Sequence, residues 1–190
     1  MTTGRRDRVH DRAILDALEA IDPVPFEDDV WRVTVKGRDA LKASAAEGRW
    51  SPAGEFEVVY ASLESEGAVA EIGYRLSLEP VWPSRMEHEI HRIDLHLDRT
   101  LRLADLLELS RLGVDAAKYE SFDYLATQAI ASAARFLEFD GLIAPSARHA
   151  CSNLVVFLDR IGKNARLEVV ETKPVDWPEW RKNKEKTTKP

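Results

Sequence analysis

The residues best suited to chemistry lie between Gly48 and Glu71. A loop rich in glycine and proline carries Arg49 and Trp50. A β-branched run then carries Tyr60, and the helix predicted after it carries Glu71. Arginine suits bidentate binding of phosphate, tyrosine suits stacking with a polar tip, and glutamate can stabilise positive charge that develops in a transition state. Together these side chains indicate a nucleotide ligand.

Two predicted elements position these side chains. The alternating run 30–35 predicts a strand on which Arg32 points away from the bulk of the core. A helix capped by Ser62 is predicted to run to about residue 78, with Glu71 opposite its apolar stripe and beside the small residues 67 and 68. That arrangement leaves room for a ligand. The alternative is an ordinary surface ion pair between Glu71 and Arg75, which are spaced i,i+4.

The rest of the chain predicts alternating helices and strands, which indicates an α+β fold. Asp11 is predicted to cap the first helix, and a short helix is predicted over 39–46. The leucines of 106–109 predict a single helical turn. A long helix, capped by Ser121 or Asp123, is predicted to run to 137 and contains Gln128. The predicted strands lie at 92–97, 100–103 and 142–144, with a hairpin of 153–158 and 166–171. Trp177 and Trp180 are predicted to pack on the surface or on a partner.

Length and charge limit the possible functions. The chain has 190 residues and is 44% hydrophobic, which suits one domain with one sizeable core. Its net charge is −6, but residues 181–190 alone carry +4, so the remainder is −10 and should repel nucleic acid. The N-terminus lacks the apolar run of a signal peptide, no membrane span is predicted, and the single cysteine, Cys151, forms no internal disulfide. We therefore expect a cytoplasmic protein without membrane contact.

Two other kinds of site are weakly supported. His88, His91 and His96 do not share one strand face and lack a recognisable set of further ligands, so no metal site is predicted. A nucleophile near His149, such as Ser146 or Cys151, lacks a G-x-S-x-G elbow. Members of a catalytic triad also converge from separate elements rather than from neighbouring positions.

The order of several short segments resembles the RES-domain toxins, the toxin half of bacterial pairs whose antitoxin is an Xre-like DNA-binding protein. The likeness covers most of the chain, and it includes equal steps of eleven residues from Arg49 to Tyr60 and from Tyr60 to Glu71. It is carried by 30–33, 48–52, 58–61, 68–71, 124–128, 139–148 and 152–157. The family usually has asparagine at the position of Ser51, and some members have serine at the position of Leu125.

The resemblance implies a single domain with the fold of the ADP-ribosyltransferase toxins, with a mixed β-sheet core and flanking helices. It also implies cleavage of the nicotinamide–ribose bond of NAD, which is a substrate, and no cofactor is implied. The expected domain spans 26–174, after an N-terminal helical segment (1–22) and before a C-terminal tail (175–190) with a disordered end. The candidate catalytic residues are Glu71, Arg32 and Tyr60, and the candidate substrate-binding residues are Arg49, Trp50, Gln128, Ser146 and Asn153.

The chemistry agrees with these assignments, because breaking that bond builds positive charge on the ribose that a carboxylate can stabilise. Two alternatives stay open at this stage: a protein ADP-ribosyltransferase that uses the same site, and a non-catalytic binding module. Water, inorganic phosphate or a protein side chain could each be the acceptor. The expected partner is an Xre-like antitoxin, in a homo-oligomer or a hetero-oligomer with the antitoxin.

Overall fold

The computed structural model describes residues 10–187, so the first part of the predicted N-terminal segment and the last residues of the predicted tail lie outside the described range. The elements are α1 (Arg12–Glu19), β1 (Val24–Val35), β2 (Val58–Ser62), α2 (Ser65–Ser77), β3 (His88–Arg102), α3 (Leu106–Arg111), α4 (Leu125–Phe136), β4 (Gly141–Pro145), β5 (Ser152–Phe157), β6 (Arg166–Pro174) and α5 (Trp177–Thr187). A 3-10 turn at Ala116–Lys118 precedes α4.

The six strands form one mixed sheet in the order β1-β2-β5-β4-β3-β6. The long strands β1 and β3 also pair with each other, from Val24 opposite Thr100 to Val35 opposite His88, so the sheet closes on itself. Only the β3–β4 pair is parallel among the described strands. The predicted α+β class, with a mixed sheet and flanking helices, is confirmed.

Alternating side chains bury both faces of this sheet, as period-two strands require. One cluster takes a residue or more from each of the first five strands, including Val30, Val59, Ile93, Ile143 and Val156. The opposite face of β2, β4 and β5 packs against the helices α1 and α4. Within residues 10–187 no helix is long and apolar enough to span a membrane.

The C-terminal helix α5 packs against α2, where the sequence predicted a tail. Trp177 is only 6% exposed and meets Trp82 edge-on, while Trp180 stacks on Trp82, so the two tryptophans pack against the rest of the protein as predicted. The ring of Trp180 lies directly on Gly73 of α2, where a Cβ would have no room. Helix α5 therefore packs against α2 on the side of Gly73.

Three predicted elements are wrong for reasons of hydrogen bonding. Residues 39–46 form no helix, because the backbone of Ser44 pairs with Val58 in an isolated bridge. Residues 153–158 and 166–171 form no hairpin, since both edges of β5 are already paired with β2 and β4, and β6 pairs with β3 instead. The predicted strand at 100–103 is not separate but continues β3 as far as Arg102.

Helix ends also differ from the predicted ones. Asp11 does cap α1, as its carboxylate accepts a hydrogen bond from the backbone of Ala13. Glu64, not Ser62, precedes α2, and Tyr124 precedes α4 instead of Ser121 or Asp123. Of the predicted packing leucines of α3, Leu109 is fully buried while Leu107 is 65% exposed.

Candidate active site

Glu71 lies on α2 and is held by two residues from distant parts of the chain. The Ser146 hydroxyl donates to Glu71 Oε1 over 2.7 Å, and Asn153 Nδ2 donates to the same oxygen over 2.8 Å. The second oxygen, Oε2, receives no hydrogen bond from the part of the chain that the structure describes. These contacts replace the alternative of a surface ion pair with Arg75. The carboxylate is oriented, with one oxygen available to a ligand.

The space beside Glu71 differs from the one predicted. Gly67 has no room for a ligand, because a Cβ there would collide with Cys151 Sγ and Ser62 Oγ. The absence of a side chain at Gly67 allows close packing of α2 on the sheet. Ala68, in contrast, is one of the residues that line the cavity in front of Glu71. The room for a ligand therefore lies on one side of the helix only.

Tyr60, on β2, is bonded to the loop that precedes it. Its hydroxyl oxygen accepts the backbone N–H of Trp50 over 2.9 Å. The Ser51 hydroxyl donates to the backbone oxygen of Ala46, so Tyr60 must donate the hydrogen in its own 3.0 Å contact with Ser51. Burial raises the pKa of Tyr60, which keeps this donor protonated. A Cβ on Gly48 would come within 2.6 Å of the Tyr60 hydroxyl, so this position requires glycine.

Two side chains of helix α4 donate hydrogen bonds to the loop that carries Arg49. The amide of Gln128, on a side chain that is 7% exposed, donates to the Gly48 carbonyl over 3.0 Å. The Thr127 hydroxyl donates to the Arg49 carbonyl over 2.6 Å. Trp50 is 2% exposed and belongs to the main core cluster, with one part of the residue at the cavity wall. The structure thus places Gln128 beneath the loop and outside the cavity lining, although it was predicted to bind substrate.

Arg49 projects from this loop into an aromatic setting. Its Cζ lies 4.5 Å from the ring centre of Tyr119 and 5.0 Å from that of Tyr124, distances typical of cation–π contacts. Nη2 donates to the Ser121 carbonyl over 3.2 Å, while Nη1 is buried and has no partner within the described chain. A buried guanidinium N–H without a partner is costly, so this group is ready to bind an anion.

Arg32, on β1, has a similar unpaired donor. Nη2 donates to the Lys42 carbonyl over 3.0 Å, and Nη1 is buried without a partner among residues 10–187. Burial is the largest cause of the lowered pKa of Arg32, and the charge of Asp39 opposes it. Burial disfavours the charged form here, and a bound anion would favour it.

One cavity of about 320 Å³ connects these groups. Six of the eight predicted site residues line it: Arg32, Arg49, Trp50, Tyr60, Glu71 and Asn153. Ser146 contacts it through Glu71, and Gln128 lies under the loop. Its volume is within the range of small-molecule sites. Residues 10–187 contain no cluster of three or more His, Cys, Asp and Glu able to hold a metal ion.

Several residues that line this cavity were not predicted from the sequence. Tyr74, Phe122, Tyr124 and Arg148 all line it. The ring of Phe122 lies 6.1 Å from that of Tyr124 and 6.4 Å from that of Tyr74, and Phe122 is 59% exposed. Tyr74 follows Glu71 by three residues, so the i,i+3 spacing could have placed it on the same helix face.

The arrangement suits a ligand that carries both negative and positive charge. Arg32 and Arg49 line the cavity, each with one buried guanidinium nitrogen that lacks a partner in residues 10–187, and so does the oriented carboxylate of Glu71. The amide oxygen of Asn153 is also buried without a partner in the described part of the chain, and it can accept a hydrogen bond from a hydroxyl group. A nucleotide with a cationic ring fits these requirements.

Comparison with known proteins gives the same assignment. A family model described as the RES domain matches residues 29–178. The chain is 39% identical over 112 residues to the "Probable NAD(+) phosphorylase Rv3189" of Mycobacterium tuberculosis (strain ATCC 25618 / H37Rv), an alignment that covers 58% of this chain and only 53% of that relative. It thus spans about half the length of that protein. It is also 23% identical over 143 residues to the "NAD(+) phosphorylase MbcT" of Mycobacterium bovis (strain ATCC BAA-935 / AF2122/97), covering 72% and 77% of the two chains.

A solved structure confirms the fold. The crystal structure of the M. tuberculosis MbcT–MbcA toxin–antitoxin complex aligns with a TM-score of 0.77 and 18% identity, over 90% of this chain and 97% of the matched chain. The predicted resemblance to a toxin fold is therefore confirmed at the level of architecture. Because the family model spans most of the chain, the family follows from it directly: this chain belongs to the RES domain family.

Proposed function

We propose that this chain cleaves the nicotinamide–ribose bond of NAD, transfers the ADP-ribose to inorganic phosphate, and acts as the toxin of a toxin–antitoxin pair. Two relatives are named NAD(+) phosphorylases, and the matched solved structure is a toxin–antitoxin complex. The observation that carries the proposal is the Glu71 carboxylate, which is fixed through one oxygen and free at the other in a cavity with two unpaired arginine donors.

The proposed mechanism follows from where charge develops. As the bond to nicotinamide lengthens, the positive charge of the ring moves to the ribose, where the free oxygen of Glu71 stabilises it. Ser146 and Asn153 hold the carboxylate in one orientation, so little reorganisation is needed during the reaction. Arg32 and Arg49 neutralise the pyrophosphate through their unpaired Nη1 groups.

Tyr60 has a more indirect role in this mechanism than its residue type suggested. Its hydroxyl is bonded to Trp50 and Ser51, so it fixes the loop that carries Arg49. The face of its ring remains at the cavity wall and can contact the nicotinamide or the ribose. We therefore propose that Tyr60 positions the pyrophosphate-binding loop and shields the reacting bond from water.

Incubation of the purified chain with NAD, with and without phosphate, tests the function. Release of nicotinamide without modified protein supports NAD cleavage, whereas modified protein would indicate a protein ADP-ribosyltransferase. If neither product forms, the chain is a binding module. A Glu71→Gln sample at the same concentration controls for contaminating NADases.

We also propose that an antitoxin inhibits this chain by closing the cavity. The matched solved structure is a complex of a toxin with its antitoxin, and the acidic chain suggests that any contact with DNA belongs to an Xre-like partner. The cytoplasm, where NAD is available, is the compartment in which we expect the pair to act. Inhibition of the purified complex should be competitive with NAD. A complex that cleaves NAD as fast as the free chain would refute closure.

A further inference from the structure

Arg148 is a cation at the cavity that the proposed mechanism has not used. It lies in the loop between β4 and β5, and its Cζ is 3.6 Å from the ring centre of Tyr74 and 5.9 Å from that of Phe122. Stacking uses the face of the guanidinium, so the N–H groups along its edge are left for another partner. Within the described chain these groups make no hydrogen bond or ion pair.

Two separate connections link Arg148 to Glu71. The backbone N–H of Arg148 donates to Ser146 Oγ over 3.1 Å, and the same hydroxyl donates to Glu71 over 2.7 Å. The stacking partner, Tyr74, stands on α2 about one turn after Glu71. Arg148 is therefore tied to the carboxylate through its loop and through the helix.

A cation at this point answers an electrostatic requirement of the reaction. An anionic nucleophile that approaches the ribose beside Glu71 is repelled by the carboxylate, whereas water is not. Four other arginines line the cavity. Arg49 stands among Tyr119 and Tyr124, and Arg32 stands beside the carbonyl of Lys42, whereas Arg38 and Arg75 are exposed. Arg32 and Arg49, which have the unpaired Nη1 groups, are needed for the pyrophosphate of NAD. Of the remaining three, only Arg148 is half-buried and linked to Glu71 by the hydrogen bonds of Ser146, which favours it as the group that binds a third phosphate.

We propose that Arg148 binds the inorganic phosphate that accepts the ADP-ribose, an inference that rests on the proposed NAD cleavage. A phosphate oxygen bonds to the ribose carbon as the bond from that carbon to the nicotinamide nitrogen breaks. The bonding electron pair stays on the nitrogen and neutralises the ring. Hydrogen phosphate and NAD give nicotinamide and ADP-ribose 1-phosphate, and the phosphate proton remains on the product until it ionises.

The test measures KM separately for each substrate. For Arg148→Gln we expect KM for phosphate to rise about 10- to 100-fold, since hydrogen bonds to a charged group are lost. KM for NAD should stay within about twofold. Arg148→Lys should raise KM for phosphate less, because the charge remains while the forked geometry is lost. Arg111→Gln, at an exposed arginine at the end of α3, is the matched control and should change neither constant.

The results separate the acceptor site from the function itself. An unchanged KM for phosphate in Arg148→Gln overturns the proposal, and so does a rise in KM for NAD alone, which would place Arg148 on the pyrophosphate. Nicotinamide release by the wild-type chain at a rate independent of phosphate would overturn the acceptor site and leave NAD cleavage intact. Circular dichroism and Tm show whether a variant is folded, and Arg148→Lys provides the second reading if Arg148→Gln is not.

Discussion

The Glu71→Gln variant tests the role of the carboxylate without disturbing its supports. The glutamine carbonyl can take the place of Oε1 and accept the hydrogen bonds of Ser146 and Asn153. Its NH₂ group takes the place of Oε2, which accepts no hydrogen bond from the described residues. The geometry is kept while the charge is lost. We expect the free energy of unfolding to change by less than about 1 kcal/mol.

The loss of catalysis should be much larger. A unit charge 4 Å from the developing ribose charge contributes about 4 kcal/mol at an effective dielectric constant of about 20. This corresponds to roughly 10³-fold in rate. Part of the attraction already acts on the cationic nicotinamide ring of bound NAD and does not accelerate the reaction. We therefore expect kcat to fall by about 10²- to 10³-fold.

Nicotinamide release at saturating NAD and the Tm of the same samples measure both quantities. Glu79→Gln, at an exposed glutamate just after α2, is the matched control and should retain full turnover and stability. Undiminished turnover in a folded Glu71→Gln variant would refute the mechanism. A Tm far below that of the wild type would instead show that the hydrogen bonds to Glu71 support the fold.

Three further predictions follow from the contacts. Arg32→Lys and Arg49→Lys should each raise KM for NAD about tenfold, because lysine keeps the charge and loses the second donor. Tyr60→Phe should lower the free energy of unfolding by about 1–3 kcal/mol in urea titrations, since the buried N–H of Trp50 loses its acceptor. Burial lowers the pKa of His88 from its ordinary value of 6.5. As the pH decreases through about 6.5, the unfolded chain therefore binds a proton at His88 before the folded chain does, and the free energy of unfolding decreases. In His88→Gln this part of the decline, at most about 1.4 kcal/mol per pH unit, should disappear.

Each of these has a contrary result. Wild-type KM and kcat in both lysine variants would reassign the arginines to structural pairs. A Tyr60→Phe variant as stable as the wild type would mean that another group accepts the Trp50 N–H. Parallel pH–stability curves for wild type and His88→Gln would show that other groups govern the acid limb.

The sequence predicts that Arg49, Tyr60 and Glu71 lie close together because short connections join the loop, the strand and the helix that carry them. The loop leads directly into β2, and only two residues separate β2 from α2, so the three side chains come to one cavity wall without long-range pairing. Hydrophobic periodicity likewise located most of the helices and strands. Local order in the sequence thus predicts a large part of the site.

The supports of the site could not be read in the same way. Ser146 and Asn153 contact Glu71 across 75 and 82 residues, and no local pattern relates positions so far apart. Arg148 contacts Tyr74 only because the β4–β5 loop lies over α2. The false hairpin has the same cause, since the partner of β6 is decided by which strand edge is still free.

The contact of Trp180 with Gly73 links Glu71 to the order in which the chain is made. Helix α2 receives this backing from a residue that follows it by about a hundred positions. During synthesis on the ribosome, the carboxylate's helix emerges early but cannot be completed on this side until α5 has emerged as well. The same holds for the β5 residue Asn153. Under the proposed function, the chain therefore gains the geometry for NAD cleavage only after β5 and α5 have emerged and packed against α2.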